Sequence, residues 1–324
     1  MDPLLVVTNA AAGTADREAV DAALEVLRAH TEVEVAATAD VGELRRVLAR
    51  RDDRPVVVAG GDGSLHALVG ALDALEELRR PGDEGQEGPV VGLLPLGTGN
   101  DFSRALGVPT DPEEAAAVVV AGRTVGVDVL RDDSGELVVN VAHVGIGAEA
   151  GERAGPWKAR LSRVGLGALG YAVGAVIATV AGGGRRLRVV ADGRVVAGGR
   201  RRVLQVAVAN GRTIGGGAEI APRSVATDGL ADVTVSFAAG PVARLRYGVA
   251  MRRGRHLDRA DVVRLEAREV AVSAARGAFR VNADGELSAP VRERTWRVEP
   301  AAYRMLVPGP SGAQGKGAGG TVTE

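Results

Sequence analysis

Apolar residues near the start of the chain come in short continuous runs. Residues 4–8 (LLVVT), 54–60 (RPVVVAG) and 89–97 (PVVGLLPLG) each read as a strand buried on both faces. Between these runs the apolar spacing changes to three and four. Residues 16–29 (DREAVDAALEVLRA), 41–51 (VGELRRVLARR) and 64–80 (SLHALVGALDALEELRR) therefore predict helices with one apolar face. Residues 32–38 (EVEVAAT) alternate as a strand does. Strands alternating with helices predict a parallel sheet covered on both sides.

After about residue 126 the pattern becomes strand, turn, strand. Residues 127–145, 186–210, 230–237, 270–274 and 278–287 carry short apolar runs, several joined by Asp-Gly or Gly-Gly turns. This predicts an α/β domain over residues 1–126 and a β-rich, sandwich-like domain over 127–300. The segment 301–307 (AAYRMLV) is a further apolar run. Residues 308–324 are Gly-rich and polar and are expected to be disordered.

One stretch, 164–184 (VGLGALGYAVGAVIATVAGGG), carries no charge. By length it could span a membrane. Glycine and alanine dominate it, which favours a buried helix. Gly167, Gly170, Gly174 and Ala178 share one helical face, leaving room for a neighbouring element or a flexible apolar ligand. Its G-x-G-x-x-G at 165–170 follows the basic KARLSR rather than an apolar strand, the wrong context for a dinucleotide site.

Composition narrows the function. The 324 residues carry 25% charged side chains at a formal net charge of −1, which argues against a nucleic-acid binder. With 2% aromatics, Val, Leu and Ala must fill the core. There is no cysteine, so thiol chemistry is excluded. The four histidines (30, 66, 143 and 256) are scattered, against a zinc site. The start of the chain reads as a first strand and has no basic n-region, which sets a cytoplasmic expectation.

The chemistry concentrates in two loops. Gly60-Gly61-Asp62-Gly63-Ser64 lies between a predicted strand and a predicted helix. Glycines there let phosphates approach main-chain N–H groups at the positive end of a helix. No Gly-Lys-Ser/Thr follows, so it is not a Walker A loop. A tight turn capped by Asp62 or Ser64 fits the same residues. The second loop, PLGTGND, offers Gly97, Thr98, Gly99, Asn100 and Asp101 after another buried strand. At the ends of neighbouring parallel strands the two loops would converge on one crevice. Helix capping is again the simpler explanation for Asn100 and Asp101.

VVVAGGDGSLHALVGAL and VGLLPLGTGNDFSRALGVP together resemble the diacylglycerol kinase catalytic-domain family, which includes bacterial soluble lipid kinases and sphingosine and ceramide kinases. The resemblance runs from about residue 4 to 307 and extends to VDV (127–129), NGRTIGGGAEIAPRSVATDGLADVTV (210–235) and VNADGE (281–286). It implies an α/β nucleotide domain like that of NAD kinases and phosphofructokinases, a β-rich second domain, ATP between them, and a last segment, 301–307, packed back on the first domain. It implies Mg²⁺ as well. Position by position, Asn9 to Gly13 match a first nucleotide loop and Thr38 a threonine near the nucleotide. Gly60, Gly61, Gly63, Ser64 and Leu65 match the phosphate loop, and Gly97, Thr98, Asn100 and Asp101 the second loop. Asp228 matches an acid at a magnesium site, with the carbonyls of Val225 and Leu230 assisting and Asp128 in the same network. Asp62, Asp284 and Glu286 are the catalytic candidates. Taken singly, Asp284-Gly285 also reads as a hairpin turn.

The chain departs from the family in two places. NAAAG stands where the family has Asn-Pro-x-Ser-Gly, and His66-Ala67 where it has Asn-Glu. His66 either sits near the phosphates or simply occupies the helix's opening turns. The expectation is an ATP-dependent kinase of diacylglycerol or a related lipid alcohol, touching a membrane surface transiently, peripheral at the inner membrane, with a homodimer left open. The clusters at 198–202 and 252–259 are the basic candidates for headgroups. A kinase of a soluble substrate such as NAD, and a homologue without catalysis, are the alternatives.

Overall fold

The computed structural model describes residues 2–10, 13–83, 85–97, 99–145 and 183–309. The first part alternates strictly: β1 (Leu4–Asn9), α1 (Thr14–Arg28), β2 (Val33–Thr38), α2 (Val41–Leu48), β3 (Val56–Gly60), α3 (Asp62–Ala74), β4 (Val90–Pro95), α4 (Asp101–Leu106) and α5 (Pro112–Ala121). There follow β5 (Thr124–Asp132), β6 (Leu137–Val138), β7 (Val141–Gly145), β8 (Leu187–Ala191), β9 (Arg194–Gly198), β10 (Gln205–Ala209), β11 (Thr213–Ile214), β12 (Ala218–Glu219) and β13 (Ala231–Ser236). Helix α6 (Pro241–Arg252) leads to β14 (Val262–Ala267), β15 (Glu269–Ala274), β16 (Val281–Ala283), β17 (Glu286–Leu287) and β18 (Glu293–Leu306).

Strands β2-β1-β3-β4 pair in parallel. Their continuous apolar runs serve two cores, because successive side chains point to opposite faces. Leu5, Val7, Val56, Val58 and Leu93 pack with Leu44 of α2 and Leu68 and Leu72 of α3. Leu4, Val6, Val57, Ala59 and Leu94 pack on the other face with Leu24 and Leu27 of α1 and Val119 of α5. Asp40 and Asp111 cap α2 and α5, accepting from the N–H of Glu43 and Glu114 at 2.8 and 3.0 Å.

Helix α3 differs from the sequence expectation of 64–80. It starts at Asp62 and stops at Ala74. Glu76 takes a left-handed φ of 60°, and the N–H of Glu77 closes on the Leu72 carbonyl. The reversal sends Leu78 into the core and the Arg79 N–H to the carbonyl of Ala302. Burial of one leucine outweighs continuation of the helix.

Strand β18 ties the molecule together. Its end pairs in parallel with β4 at Arg304 and Met305, and its beginning pairs antiparallel with β15. It runs antiparallel to β5 along most of its length, with a bulge between Glu299 and Tyr303. The resulting ten-stranded sheet is continuous, and residue 126 falls inside β5. A second, six-stranded antiparallel sheet, β14-β13-β10-β7-β16-β17, faces β8, β15 and β18 across a core of valines closed by Phe279 and Trp296. The architecture is an α/β layer with a parallel sheet, followed by a β-sandwich.

No helix among the described residues is long and apolar enough to cross a membrane. The uncharged stretch 164–184, apart from its last two glycines, lies outside the described residues, as do Thr98 and the tail from residue 310.

Candidate active site

The carboxyl ends of β1 to β4 lie side by side, Asn9 level with Thr38 and Gly60 level with Pro95. Loops leaving these ends therefore share one edge, the place where open α/β sheets hold ligands. Asn9 is exposed there, and Gly13 stands ahead of α1. Thr38 is nearly buried, its hydroxyl donating to the Thr8 carbonyl at 3.4 Å.

The two glycine-rich loops touch. A Cβ on Gly97 would lie 2.7 Å from Gly61 Cα and 2.9 Å from Asn100 Oδ1. A Cβ on Gly60 would collide with the Ser64 side chain, and one on Gly99 would reach Asp62 Oδ2 at 3.0 Å. Only at Gly63, of the glycines in the first loop, is the space open to 4 Å. Bareness at 61, 97 and 99 thus serves loop-to-loop packing, that at 60 makes room for Ser64 within its own loop, and the space beside Gly63 is open.

Asp62 is the clasp between the loops. Its Oδ2 accepts from the N–H of Asp101 and its Oδ1 from the N–H of Phe102, both at 2.9 Å. These are orphan donors at the start of α4. Asn100, in left-handed conformation (φ 48°), makes no side-chain cap of its own. The capping expected of Asn100 is thus done by Asp62. Asp101 in turn is 3% exposed, and its Oδ2 accepts from Gly216 N–H at 2.8 Å, in the turn between β11 and β12. Leu65 does not line the loop. Its side chain is buried in the core and its N–H donates to the Gly61 carbonyl. The Ser64 N–H also turns back to Gly61. The N–H groups of Asp62 and Gly63 are left at the head of α3.

Opposite stands the β16–β17 turn. Asp284 (φ 48°) and Gly285 (φ 97°) form the hairpin that the Asp-Gly pair suggests. The Asp284 carboxylate also accepts from the N–H of Val139 at 2.7 Å, Asn140 at 3.0 Å and Val141 at 2.9 Å. His66 Nδ1 lies 2.9 Å from Asp284 Oδ2, across 218 residues of sequence. Asp284 is 6% exposed and His66 25%. The hydrogen bond to Asp284 raises the His66 pKa above its usual value; burial opposes this, and the charges of Asp284, Glu286 and Glu136 add to it. Glu286 is exposed, within reach of the His66 ring for its charge to count.

Asp128, Val225, Asp228 and Leu230 gather elsewhere, at the β18 bulge. Asp128 is 2% exposed and accepts from the N–H of Gly229 at 2.7 Å and Ala301 at 2.8 Å. Burial raises its pKa, and these main-chain bonds counter the rise. Asp228 is exposed, with Oδ1 on the Leu230 N–H at 2.9 Å. Among the described residues no group of three His, Cys, Asp or Glu side chains could hold a metal by itself.

Two residues that sequence reasoning did not single out complete the scaffold. Asn210 donates to the carbonyls of Asp128 and Val139 at 2.7 and 2.8 Å, joining the Asp128 and Asp284 regions. Asn140 donates to the Thr213 carbonyl at 2.9 Å, and Gly211 is where a Cβ would strike it. The Asn-Gly pair at 210–211 was the available signal. Of the basic clusters, Arg201 lies over the Phe237 ring, Arg202 donates to the carbonyls of Gly183 and Gly184, Arg255 pairs with Asp258 and Arg259 with Asp261. His256 is buried against the Ile220 carbonyl.

Residues 3–131 match the model of the diacylglycerol kinase catalytic domain. Residues 140–307 match that of the YegS C-terminal NAD kinase beta sandwich-like domain. The chain belongs to the diacylglycerol kinase family of lipid kinases. A probable lipid kinase YegS-like protein of Stenotrophomonas maltophilia is 31% identical over 297 residues, 86% of this chain and 87% of its own. A diacylglycerol kinase of Mycobacterium tuberculosis is 31% identical over 261 residues, covering 78% and 76%. The crystal structure of a diacylglycerol kinase from Bacillus anthracis superposes with a TM-score of 0.68 at 19% identity, covering 94% of this chain and 97% of that one. In this diacylglycerol kinase family member, the two glycine-rich motifs that carried most of the resemblance meet at the edge of the parallel sheet.

Proposed function

We propose that the chain is an ATP-dependent kinase that phosphorylates a hydroxyl of diacylglycerol or a related lipid alcohol. The observation that carries this reading is the clasping of two glycine-rich loops by Asp62, about one helical turn from the His66–Asp284 pair. Phosphoryl transfer demands little covalent work from a protein; it demands positioning, charge neutralisation and a proton acceptor. The amides of Asp62 and Gly63 head a 13-residue helix whose positive end suits a polyphosphate. The open space at Gly63 lets that polyphosphate approach the main chain. Asp62 acts here as a positioning residue, holding the second loop against the first.

A bound Mg²⁺ would supply neutralisation of phosphate charge. Asp228, with the carbonyls of Val225 and Leu230, would be the residues to hold it, an all-oxygen set of the kind Mg²⁺ takes. Asp128, with both oxygens on amides, shapes that loop from behind.

The outer face of α6 supports contact with an anionic membrane. Val242, Leu245 and Val249 lie at helical spacing and are 69%, 64% and 45% exposed. Arg246, Arg252 and Arg253 flank them, and residues 241–255 contain no acid. An apolar stripe rimmed by arginines suits a bilayer surface carrying negative headgroups.

Purified protein given labelled ATP, Mg²⁺ and a lipid panel tests the function. Label is expected in diacylglycerol or a related lipid alcohol. Label entering NAD alone would transfer the reading to a soluble substrate, and no turnover with any acceptor would support a non-catalytic homologue.

A further inference from the structure

We propose that the His66 imidazole, positioned by Asp284, is the group that takes the proton from the lipid hydroxyl. This rests on the kinase reading above. Five carboxylates stand near the loops or the His66 ring, and three of them already accept main-chain N–H groups. Asp62 accepts two main-chain N–H groups, and Asp101, 3% exposed, accepts one through Oδ2. Asp284 accepts three main-chain N–H groups and the imidazole. A carboxylate has about four lone-pair positions, so Asp284 has none left to aim at a substrate. It cannot swing free either, being buried, bonded and on a hairpin turn. Glu286 is exposed and, like Glu136, stands close enough for its charge to bear on the His66 ring.

Asp284 fixes His66 instead. An ionised carboxylate only accepts, so the 2.9 Å contact requires the proton on Nδ1. The neutral ring then presents a bare Nε2, the arrangement in which an acid-oriented histidine serves as base. His66 stands four residues after Asp62 on α3, and helical side chains lean toward the helix N-terminus. The ring therefore leans back toward the phosphate loop, a quarter of it open to solvent.

The hydroxyl oxygen forms a bond to the γ-phosphorus of ATP as the bond from that phosphorus to the bridging oxygen breaks. ADP leaves with that electron pair. The hydroxyl proton moves to Nε2, and the imidazolium, held by Asp284, later releases it to water. The charged groups facing the ring are Asp284 and Glu286 from the β16–β17 hairpin and Glu136 from the β5–β6 turn, all acidic. Each stabilises the imidazolium, so the base becomes free at a higher pH than an unperturbed histidine.

The test is the pH dependence of kcat on diacylglycerol in mixed micelles, for wild type and His66→Asn, with nucleotide binding measured in parallel. Wild-type log kcat is expected to rise with unit slope through a pKa above 6.5. His66→Asn is expected to lose roughly 100-fold or more in kcat, to lose the limb, and to bind ATP nearly as before. A variant within about threefold of wild type, or one that keeps the limb, overturns the proposal while leaving the kinase reading intact. A wild type without lipid phosphorylation at any pH overturns both. Nitrogen-15 spectra of the folded protein give a readout apart from activity, His66 being assigned by its loss in His66→Asn. The neutral ring is expected as the Nδ1–H tautomer, and an Nε2–H tautomer overturns the proposal. Asp284→Asn also removes a turn anchor, so His66→Asn is the deciding variant.

Discussion

Asp62 and Asp101 stand at the starts of two different helices, and the carboxylate of the first accepts the main-chain N–H of the second at 2.9 Å. A residue placed to act on a substrate does not need such a bond, whereas a clasp does. Asp62→Ala leaves the amides of Asp101 and Phe102 without their acceptor. The expected loss is about 1–3 kcal/mol of unfolding free energy, seen by denaturant titration of the nucleotide-free protein. A purely catalytic aspartate would leave that stability unchanged or raise it on removal.

The glycines of the loops separate by the same logic. Gly97→Ala puts a Cβ 2.7 Å from Gly61 Cα, a backbone atom with nowhere to go. The loops must part, and a loss of about 1–3 kcal/mol is expected. Gly63→Ala meets nothing within 4 Å. Inside α3 it is expected to stabilise by up to about 1 kcal/mol, yet to weaken ATP where a phosphate lies against that residue. Opposite signs in melting temperature and nucleotide affinity would mark Gly63 as the ligand-facing glycine. Parallel losses would make it structural like the others.

How much of this was legible in the sequence follows from range. The buried runs at β1, β3 and β4 announce a parallel sheet because burial on both faces leaves no polar alternation. The Asp192-Gly193 turn joining β8 and β9 is likewise local chemistry, both residues having positive φ. The end of α3 was not legible, because Leu78 and the Ala302 carbonyl decide it from elsewhere in the fold. Asp62 could be read as a cap of its own helix or as a catalyst, and the N–H groups it accepts come instead from α4, 39 and 40 positions on. His66 and Asp284 are separated by 218 positions, so no spacing rule joins them. The basic clusters at 198–202 and 252–259 dissolved on folding, since most of their arginines found carbonyls, a ring or an acid.

The His66–Asp284 bond also joins α3 to the second sheet, so stability should titrate with it. The folded pKa of His66 is raised, the folded state therefore holds the proton more tightly, and the contribution is fully present below the unfolded value of 6.5. It fades as pH rises through the raised folded pKa. The melting-temperature difference between wild type and His66→Asn is expected to be largest near pH 6 and to shrink toward pH 9. A difference that grows with pH contradicts the sign. Proton abstraction and cross-domain stability are thereby set in opposition: the pH that frees the base loosens the pair.

The face of α6 predicts a membrane effect separable from chemistry. Leu245 is 64% exposed between Val242 and Val249, so Leu245→Glu costs the fold little and places an acid in the centre of the stripe. Sedimentation with phosphatidylglycerol vesicles is expected to fall sharply for this variant, while activity on a short-chain soluble diacylglycerol is preserved. Arg252→Ala with Arg253→Ala removes two rim charges, each worth about 1 kcal/mol near an anionic surface. Their loss is expected to weaken binding at low salt and to matter less at high salt, because surface attraction is screened over about 10 Å at 0.1 M. Equal binding of wild type to phosphatidylcholine vesicles would show that the arginines do not select the surface. Unchanged sedimentation of Leu245→Glu would show that α6 is not the side that meets it.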